Sequence, residues 1–294
     1  MQKRKGIILA GGSGSRLYPI TIVTNKQLLP IYNKPMIYYP LATLMLAGIR
    51  EILIISTPYQ INLFKTLFST SERLGISLSF AEQDKPNGIA EALIIADDFL
   101  NCSPCALILG DNFFYGSGLK KQLCELNFTI DKSCIFSKAV PDPSAYGVVH
   151  LDKFGRPLSI IEKPQEPKSN LAVTGLYFYD GTASEKARRL KPSKRNELEI
   201  TDLNNIYLKE GKLDVVNFSD SYVWYDSGTY EGLMEASKFV AKNERENKKM
   251  IGAIEEIAMT NQWISHAESE LLLASIPNGV YLDYLISVRD KIYA

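Results

Sequence analysis

Three short apolar runs separated by amphipathic stretches limit what this chain can fold into. Gly6-Ile-Ile-Leu-Ala10, Glu51-Ile-Leu-Ile-Ile-Ser56 and Cys105-Ala-Leu-Ile-Leu109 read as strands buried on both faces. The segments Met36–Ala47, Gln60–Thr70 and Ile89–Phe99 between and after them carry helical apolar spacing. Strand and helix in alternation imply βαβ units, so the predicted fold is an α/β, mostly parallel, Rossmann-like open sheet flanked by helices. Strand-like runs return at Gly147–Leu151, Leu158–Ile161 and Gly175–Tyr179, and from about Tyr230 the pattern is helical to the end. No hexapeptide series or other internal repeat is present. At 294 residues and 46% hydrophobic, the chain can bury a full core, as one large domain or a main domain with an appendage.

Lys+Arg and Asp+Glu are both 33, so no bulk basic field points to nucleic acid or an anionic membrane. Phosphate binding must then rest on a few placed cations and backbone N–H groups. Residues Met1-Gln-Lys-Arg-Lys5 lead into an apolar run too short for a signal peptide, and the longest charge-free apolar stretch, Met36 to Ile49, contains Pro40 and is shorter than a membrane span. The expected location is cytoplasmic. Four cysteines do not make a disulfide scaffold; Cys102-Ser-Pro-Cys105 has redox or half-zinc-site spacing, with no second pair to complete a zinc site.

In open parallel sheets, ligands bind outside the carboxyl ends of strands. The first strand ends there in Leu9-Ala-Gly-Gly-Ser-Gly-Ser-Arg-Leu-Tyr-Pro19, where Gly11, Gly12 and Gly14 let the backbone approach a phosphate closely. A tight structural turn would use the same residues. A dinucleotide fingerprint needs a glycine where Leu17 stands, and no Walker Gly-Lys-Ser/Thr follows.

The continuation is more specific. Arg16, Asn25-Lys-Gln-Leu-Leu-Pro30 and Tyr32-Asn-Lys-Pro-Met-Ile-Tyr-Tyr-Pro-Leu41 come first. They are followed in order by Gln83 with Pro86-Asn-Gly88, Leu109-Gly-Asp-Asn112 with Tyr115-Gly116, and Pro143-Ser-Ala-Tyr-Gly-Val-Val149. Ile161-Glu-Lys-Pro164, Glu197-Leu-Glu-Ile-Thr-Asp202 and Trp224-Tyr-Asp-Ser-Gly-Thr229 complete the set. From about residue 5 to residue 265 the chain resembles the sugar nucleotidyltransferases, above all those that form dTDP-glucose from dTTP and glucose 1-phosphate. It departs from that pattern at Ser15, Asn25 and Asn196, where the family more often has Thr, Ser and Gly, and in the tail from about Ser275.

The resemblance implies a Mg²⁺-dependent attack of the sugar phosphate on the nucleotide's α-phosphorus, with pyrophosphate leaving. It assigns the nucleotide to Leu9, Gly11, Gly12, Ser13, Gly14, Ser15, Arg16, Lys26, Gln27, Gln83, Pro86, Gly88 and Asp111. A smaller sugar-binding part would use Tyr146, Gly147, Glu162, Lys163 and Val173. Asp111 and Asp226 would hold the metal; Arg16 and Lys26 would neutralise the triphosphate; Lys163 would bridge the sugar phosphate and the α-phosphate. Residues 1–249 would form the catalytic domain and 250–294 a helical C-terminal segment serving assembly and regulation. A homotetramer inhibited by the pathway's end-product nucleotide sugar is part of the same implication. A uridylyltransferase and a non-catalytic sugar-nucleotide sensor stay open as alternatives.

Overall fold

The run Gly6 to Ala10 has no polar side chain, so it is stable only where both faces are covered. In the computed structural model, which describes residues 3–12, 14–129 and 131–294, it supplies the central strand β1 (Lys5–Leu9). A short hairpin follows, β2 (Pro30–Ile31) and β3 (Lys34–Pro35). Then come α1 (Tyr38–Leu46), β4 (Glu51–Ser56), α2 (Ile61–Leu67), β5 (Ser77–Glu82), α3 (Glu91–Ile95), α4 (Asp97–Leu100) and β6 (Cys105–Leu109). The next elements are β7 (Asn112–Gly116), α5 (Leu119–Phe128), β8 (Ser133–Ala139), β9 (Gly147–Leu151), β10 (Pro157–Glu162) and β11 (Leu171–Tyr179). The chain closes with α6 (Ala183–Ala187), α7 (Ile200–Lys209), β12 (Leu213–Phe218), β13 (Tyr222–Asp226), α8 (Tyr230–Asn247), α9 (Ile254–Thr260), α10 (His266–Leu273) and α11 (Val280–Tyr293).

The main sheet runs β10-β9-β11-β6-β1-β4-β5, with β8 pairing β11 and β12. Its half from β6 through β1 and β4 to β5 is parallel, with Leu9 level with both Ile55 and Leu109, and β11 joins β6 antiparallel. Successive side chains of β1 feed opposite faces. Ile7 packs with Leu53, Leu107, Leu93 and Tyr207, and Ile8 with Ile54, Ile108, Leu44 and Ile257. Each such side chain, withdrawn wholly from water, contributes on the order of 1.5–3 kcal/mol, which is why these runs are continuous rather than alternating.

Ile251, Ile254, Ile257 and Ala258 are buried as their spacing predicts. Leu272, Leu273 and Leu285 from α10 and α11 enter the same core as Ile8, so the C-terminal helices cover the α1 face of the sheet. The Tyr284 hydroxyl donates to Glu256 at 2.6 Å and that of Tyr281 to Glu255. Buried Lys34 donates to Glu244 at 3.1 Å and lies over the Tyr281 ring.

The helix expected over 89–99 is broken at Ala96 into α3 and α4. The ribbon β7–β13 is not evident in the sequence, because its strands are more than a hundred residues apart and each holds only five residues. Cys102 and Cys105 are free thiols; Cys105 is buried, and burial pushes its thiol up to about 12, the opposite of what a redox or metal-binding thiol needs. His150 is a half-buried residue of β9. Among the described residues no helix is long and apolar enough to cross a membrane.

Candidate active site

The carboxyl ends of β1, β5 and β6 open onto one edge of the sheet, and the glycine loop, Gln83 and Asp111 follow them there. Gly12 and Gly14 take positive φ, 95° and 62°, which turns the loop back over the edge. Asn25 secures the next turn: its Oδ1 accepts from Gln27 N at 2.7 Å, and its amide donates to Ala10 O and Gln60. Asn is therefore a working substitute at this cap position. Gln27 is consequently buried with its Oε1 lacking any protein partner among the described residues.

Two adjoining clefts lie along this edge. The smaller, of about 310 Å³, is lined by Leu9, Gly11, Gly12, Arg16, Lys26, Gln27, Gln83, Pro86, Gly88 and Asp111. The larger, of about 640 Å³, is lined by all five residues assigned to the sugar phosphate, Tyr146, Gly147, Glu162, Lys163 and Val173, together with Ser15 and Asp226. Arg16, Asp111 and Glu197 line both, with Ile89 and Leu109, so the clefts meet along a boundary that holds one cation and two acids. Of the remaining nucleotide residues, Gly14 lines neither cleft and instead accepts from the Thr21 hydroxyl at 2.9 Å, while Ser13 lies outside the described residues.

The ribbon brings Asp226 to the junction. Asp226 pairs with Asn112 in β7–β13, and Ser227 N donates to Asp111 O at 2.9 Å. A Cβ on Gly228 would lie 2.8 Å from Asp111 Oδ2, 2.9 Å from Asp226 Oδ1 and 2.7 Å from an Arg16 nitrogen. Only glycine leaves that point free. Lys26 Nζ stands 2.5 Å from Asp111 Oδ2, and Arg16 3.2 Å from Asp226 Oδ2.

Burial raises both carboxyls, and the balance then differs. For Asp111, the Lys26 ammonium, assisted by the Asn112 amide and Arg16, outweighs burial and holds the group below the ordinary carboxylate value. For Asp226, burial and then the charge of Asp111 outweigh Arg16 and the Gly228 N–H, so its carboxyl is raised. One site thus holds two acids whose ionisation is pushed in opposite directions by their surroundings.

In the larger cleft, Glu162 ends β10 opposite Gly147 of β9. Its Oε2 accepts from Thr201 at 2.6 Å and its Oε1 from Arg195 at 3.2 Å. A Cβ on Gly147 would meet Thr201 Oγ1 at 2.9 Å and Glu162 Oε2 at 3.4 Å. Lys163 holds φ +43°, uncommon for a non-glycine residue, with its N–H bonded to Tyr146 O. Asn196 likewise has φ +60°; Asn tolerates this conformation better than most residues, which accounts for its standing in a glycine's place.

Several cleft residues were missed in the sequence. Asn112 Oδ1 accepts from Trp224 Nε1 and Gly175 N at 2.6 and 3.1 Å, tying the ribbon to β11. Arg195 faces Glu162, Glu197 and Glu199. Asn112 and Trp224 sit inside matched motifs and Arg195 two residues before one, yet nothing in their spacing shows that they converge.

The family model described as nucleotidyl transferase matches residues 5–243. The chain is 47% identical over 291 residues to a glucose-1-phosphate thymidylyltransferase from Xanthomonas campestris pv. campestris (strain B100), covering 99% of each chain. It is similar in structure to a Bacillus anthracis protein assigned as a glucose-1-phosphate thymidylyltransferase and solved with a sucrose: 41% identity, TM-score 0.74, 80% of this chain and 94% of that one. It also resembles a UDP-glucose pyrophosphorylase complexed with UDP-glucose, at 27% identity and TM-score 0.73 over 82% of this chain and 99% of the other.

Proposed function

This chain belongs to the nucleotidyl transferase family, and from that premise we propose that it transfers a thymidylyl group from dTTP to α-D-glucose 1-phosphate, giving dTDP-glucose and pyrophosphate. The observation that carries this reading is the meeting of two clefts at Arg16 and Asp111. A nucleotide along the glycine loop and a sugar phosphate beside Glu162 and Lys163 would bring their phosphates together there.

A phosphate monoester has its second pKa near ~6 and is already an anion at neutral pH, so no general base is required. One of its oxygens bonds to the α-phosphorus as the α–β bridging bond breaks in line and pyrophosphate leaves. Repulsion between the two anions is the main obstacle. Arg16 and Lys26 would turn from the acids to the triphosphate, and Lys163 would bridge the sugar phosphate and the α-phosphate. Glu162, held by Thr201 and Arg195, offers acceptors to sugar hydroxyls. Holding both reactants in attacking geometry is worth on the order of 7–11 kcal/mol of barrier.

The donor set at the junction fits Mg²⁺. The donors in this reading are two carboxylates, Asp111 and Asp226, with no His or Cys among the residues lining either cleft. Mg²⁺ takes one or two carboxylates and completes its shell with phosphate oxygens and water. Asp111 and Asp226 would hold it, and when bound it supplies neutralising charge to the reacting phosphates.

Pyrophosphate release measured with each common nucleoside triphosphate and glucose 1-phosphate tests the assignment. Turnover with UTP outrunning that with dTTP would replace the thymidylyl reading, and turnover with none would favour a sensor. A cytoplasmic setting, a homotetramer and inhibition by the end-product nucleotide sugar belong to the same proposal; sedimentation and inhibition that is not competitive with dTTP test the last two.

A further inference from the structure

Gln83 directly follows β5, is buried, and lines the smaller cleft. Its amide nitrogen donates to Glu91 Oε2 at 2.7 Å and more weakly to Gly88 O at 3.4 Å. Glu91 is the first residue of α3, and its second oxygen, Oε1, accepts from Asn87 Nδ2 at 2.8 Å. Among the described residues Glu91 pairs with no cation, so both its oxygens are committed to amides.

An ionised carboxylate accepts hydrogen bonds and never donates. The end of the Gln83 amide that faces Glu91 must therefore be its NH₂, and the carbonyl must face the other way. A Cβ on Gly11 would lie 3.0 Å from Gln83 Oε1, which places that oxygen directly against Gly11 of the glycine loop, in the wall of the cleft. No protein donor among the described residues reaches it. Nearby, the Gly88 N–H donates to no backbone carbonyl among the described residues. The cleft thus presents a fixed acceptor in the Gln83 carbonyl.

We propose that Glu91 is a positioning residue for base choice: it fixes the polarity of the Gln83 amide, so that the site takes a pyrimidine with an N–H at position 3 and rejects one with a lone pair there. This rests on the assignment of the smaller cleft to the nucleotide. Thymine and uracil offer N3–H to Gln83 Oε1 and a ring carbonyl to Gly88 N–H. Cytosine would set its N3 lone pair against the Gln83 carbonyl and leave both unpaired in a buried site. Unpaired buried polar groups discriminate far more strongly than an extra methyl does. An amide free to rotate would accommodate either edge, so selectivity resides in Glu91 rather than in Gln83 alone.

The test is kcat/KM for dTTP and dCTP, with saturating glucose 1-phosphate, in the wild type, Glu91→Gln, Glu91→Ala and Asn87→Ala. Glu91→Gln keeps the shape but can donate or accept, which releases the Gln83 amide. The dTTP-to-dCTP ratio is expected to fall by roughly tenfold or more, mostly through KM, with kcat/KM for dCTP rising. Asn87→Ala leaves the carboxylate facing the Gln83 amide and should leave the ratio unchanged. Glu91→Ala, which removes the acceptor outright, should move the ratio the same way as Glu91→Gln and serves as the deciding variant if Glu91→Gln fails to fold. An unchanged ratio in the Glu91 variants, or equal losses for both nucleotides, would mark Glu91 as merely structural and overturn the inference. A wild-type enzyme that prefers UTP would replace the thymidylyl assignment and leave this inference standing, whereas one that prefers dCTP would end it.

Discussion

Asp226 lies opposite Asn112 in the antiparallel ribbon β7–β13, and that register sets an acid from the end of one strand against Asp111, the residue just before the other. The arrangement is stiff. Ser227 N is bonded to Asp111 O, the Gly228 N–H caps Asp226, and Trp224 locks Asn112. Two carboxylates are thereby held close in a buried setting, where each makes the other costlier to ionise.

Replacing either acid by its amide should abolish function while sparing the fold. Asp111→Asn and Asp226→Asn are each expected to lower turnover by about a thousandfold or more, the scale seen when a preorganised charge is removed from a reacting site. Asp226→Asn should not lower the melting temperature, because its carboxyl is the one raised by burial and by Asp111. Pyrophosphate release read beside circular dichroism checks both; activity within tenfold of wild type in a folded variant would remove these acids from the mechanism.

Rate should depend little on pH between about 7 and 8.5, since the attacking monoester ionises below that window. Among the residues brought to the clefts there is no histidine. Rapid-quench measurement, which separates the chemical step from product release, is the suitable readout. An enzyme group titrating inside the window with a large effect on that step would contradict the absence of a general base.

Gly147→Ala would place a methyl group against Thr201 Oγ1 and above Glu162 Oε2. The KM for glucose 1-phosphate is expected to rise by about tenfold, the cost of misplacing one hydrogen-bonded contact, with the KM for dTTP unchanged. Initial-rate kinetics in both substrates decide it, and equal changes in the two KM values would count against the assigned sugar cleft.

Glu255 offers a test of stability away from the site. Burial raises its carboxyl, with the Tyr281 hydroxyl and Lys34 compensating only in part. A raised carboxyl stabilises the fold fully below its unfolded value and loses that contribution as pH rises through the folded value. Glu255→Gln removes this loss while retaining an acceptor for Tyr281. Its melting temperature should exceed that of the wild type at pH 7–8, with the difference shrinking as pH falls toward the ordinary glutamate range of about 4.3. A variant less stable at pH 8 would show that the charge pairing with Lys34 dominates.

Local chemistry made much of this protein legible in its sequence. Ile7, Ile8 and the runs around Leu53 and Leu107 announce a sheet buried on both faces, because no other arrangement hides continuous apolar residues. Glycines at 11, 12 and 14 announce a backbone turn at a strand's end, and most of the matched motifs, though not Tyr32–Leu41, contribute residues to the clefts. Spacing along the chain is enough for such features, since each depends on residues only a few positions apart.

Tertiary structure alone decided the rest. The ribbon that delivers Asp226 to Asp111, the αL backbone that aims Lys163, and the commitment of Gln83 to Glu91 all depend on which partner each group meets after folding. Chain closure between positions such as 112 and 226 is unfavourable until many contacts form together. No short window of sequence can encode it. The direction of each carboxyl's shift follows the same logic, for burial and neighbouring charge exist only once the sheet, the ribbon and the covering helices have assembled.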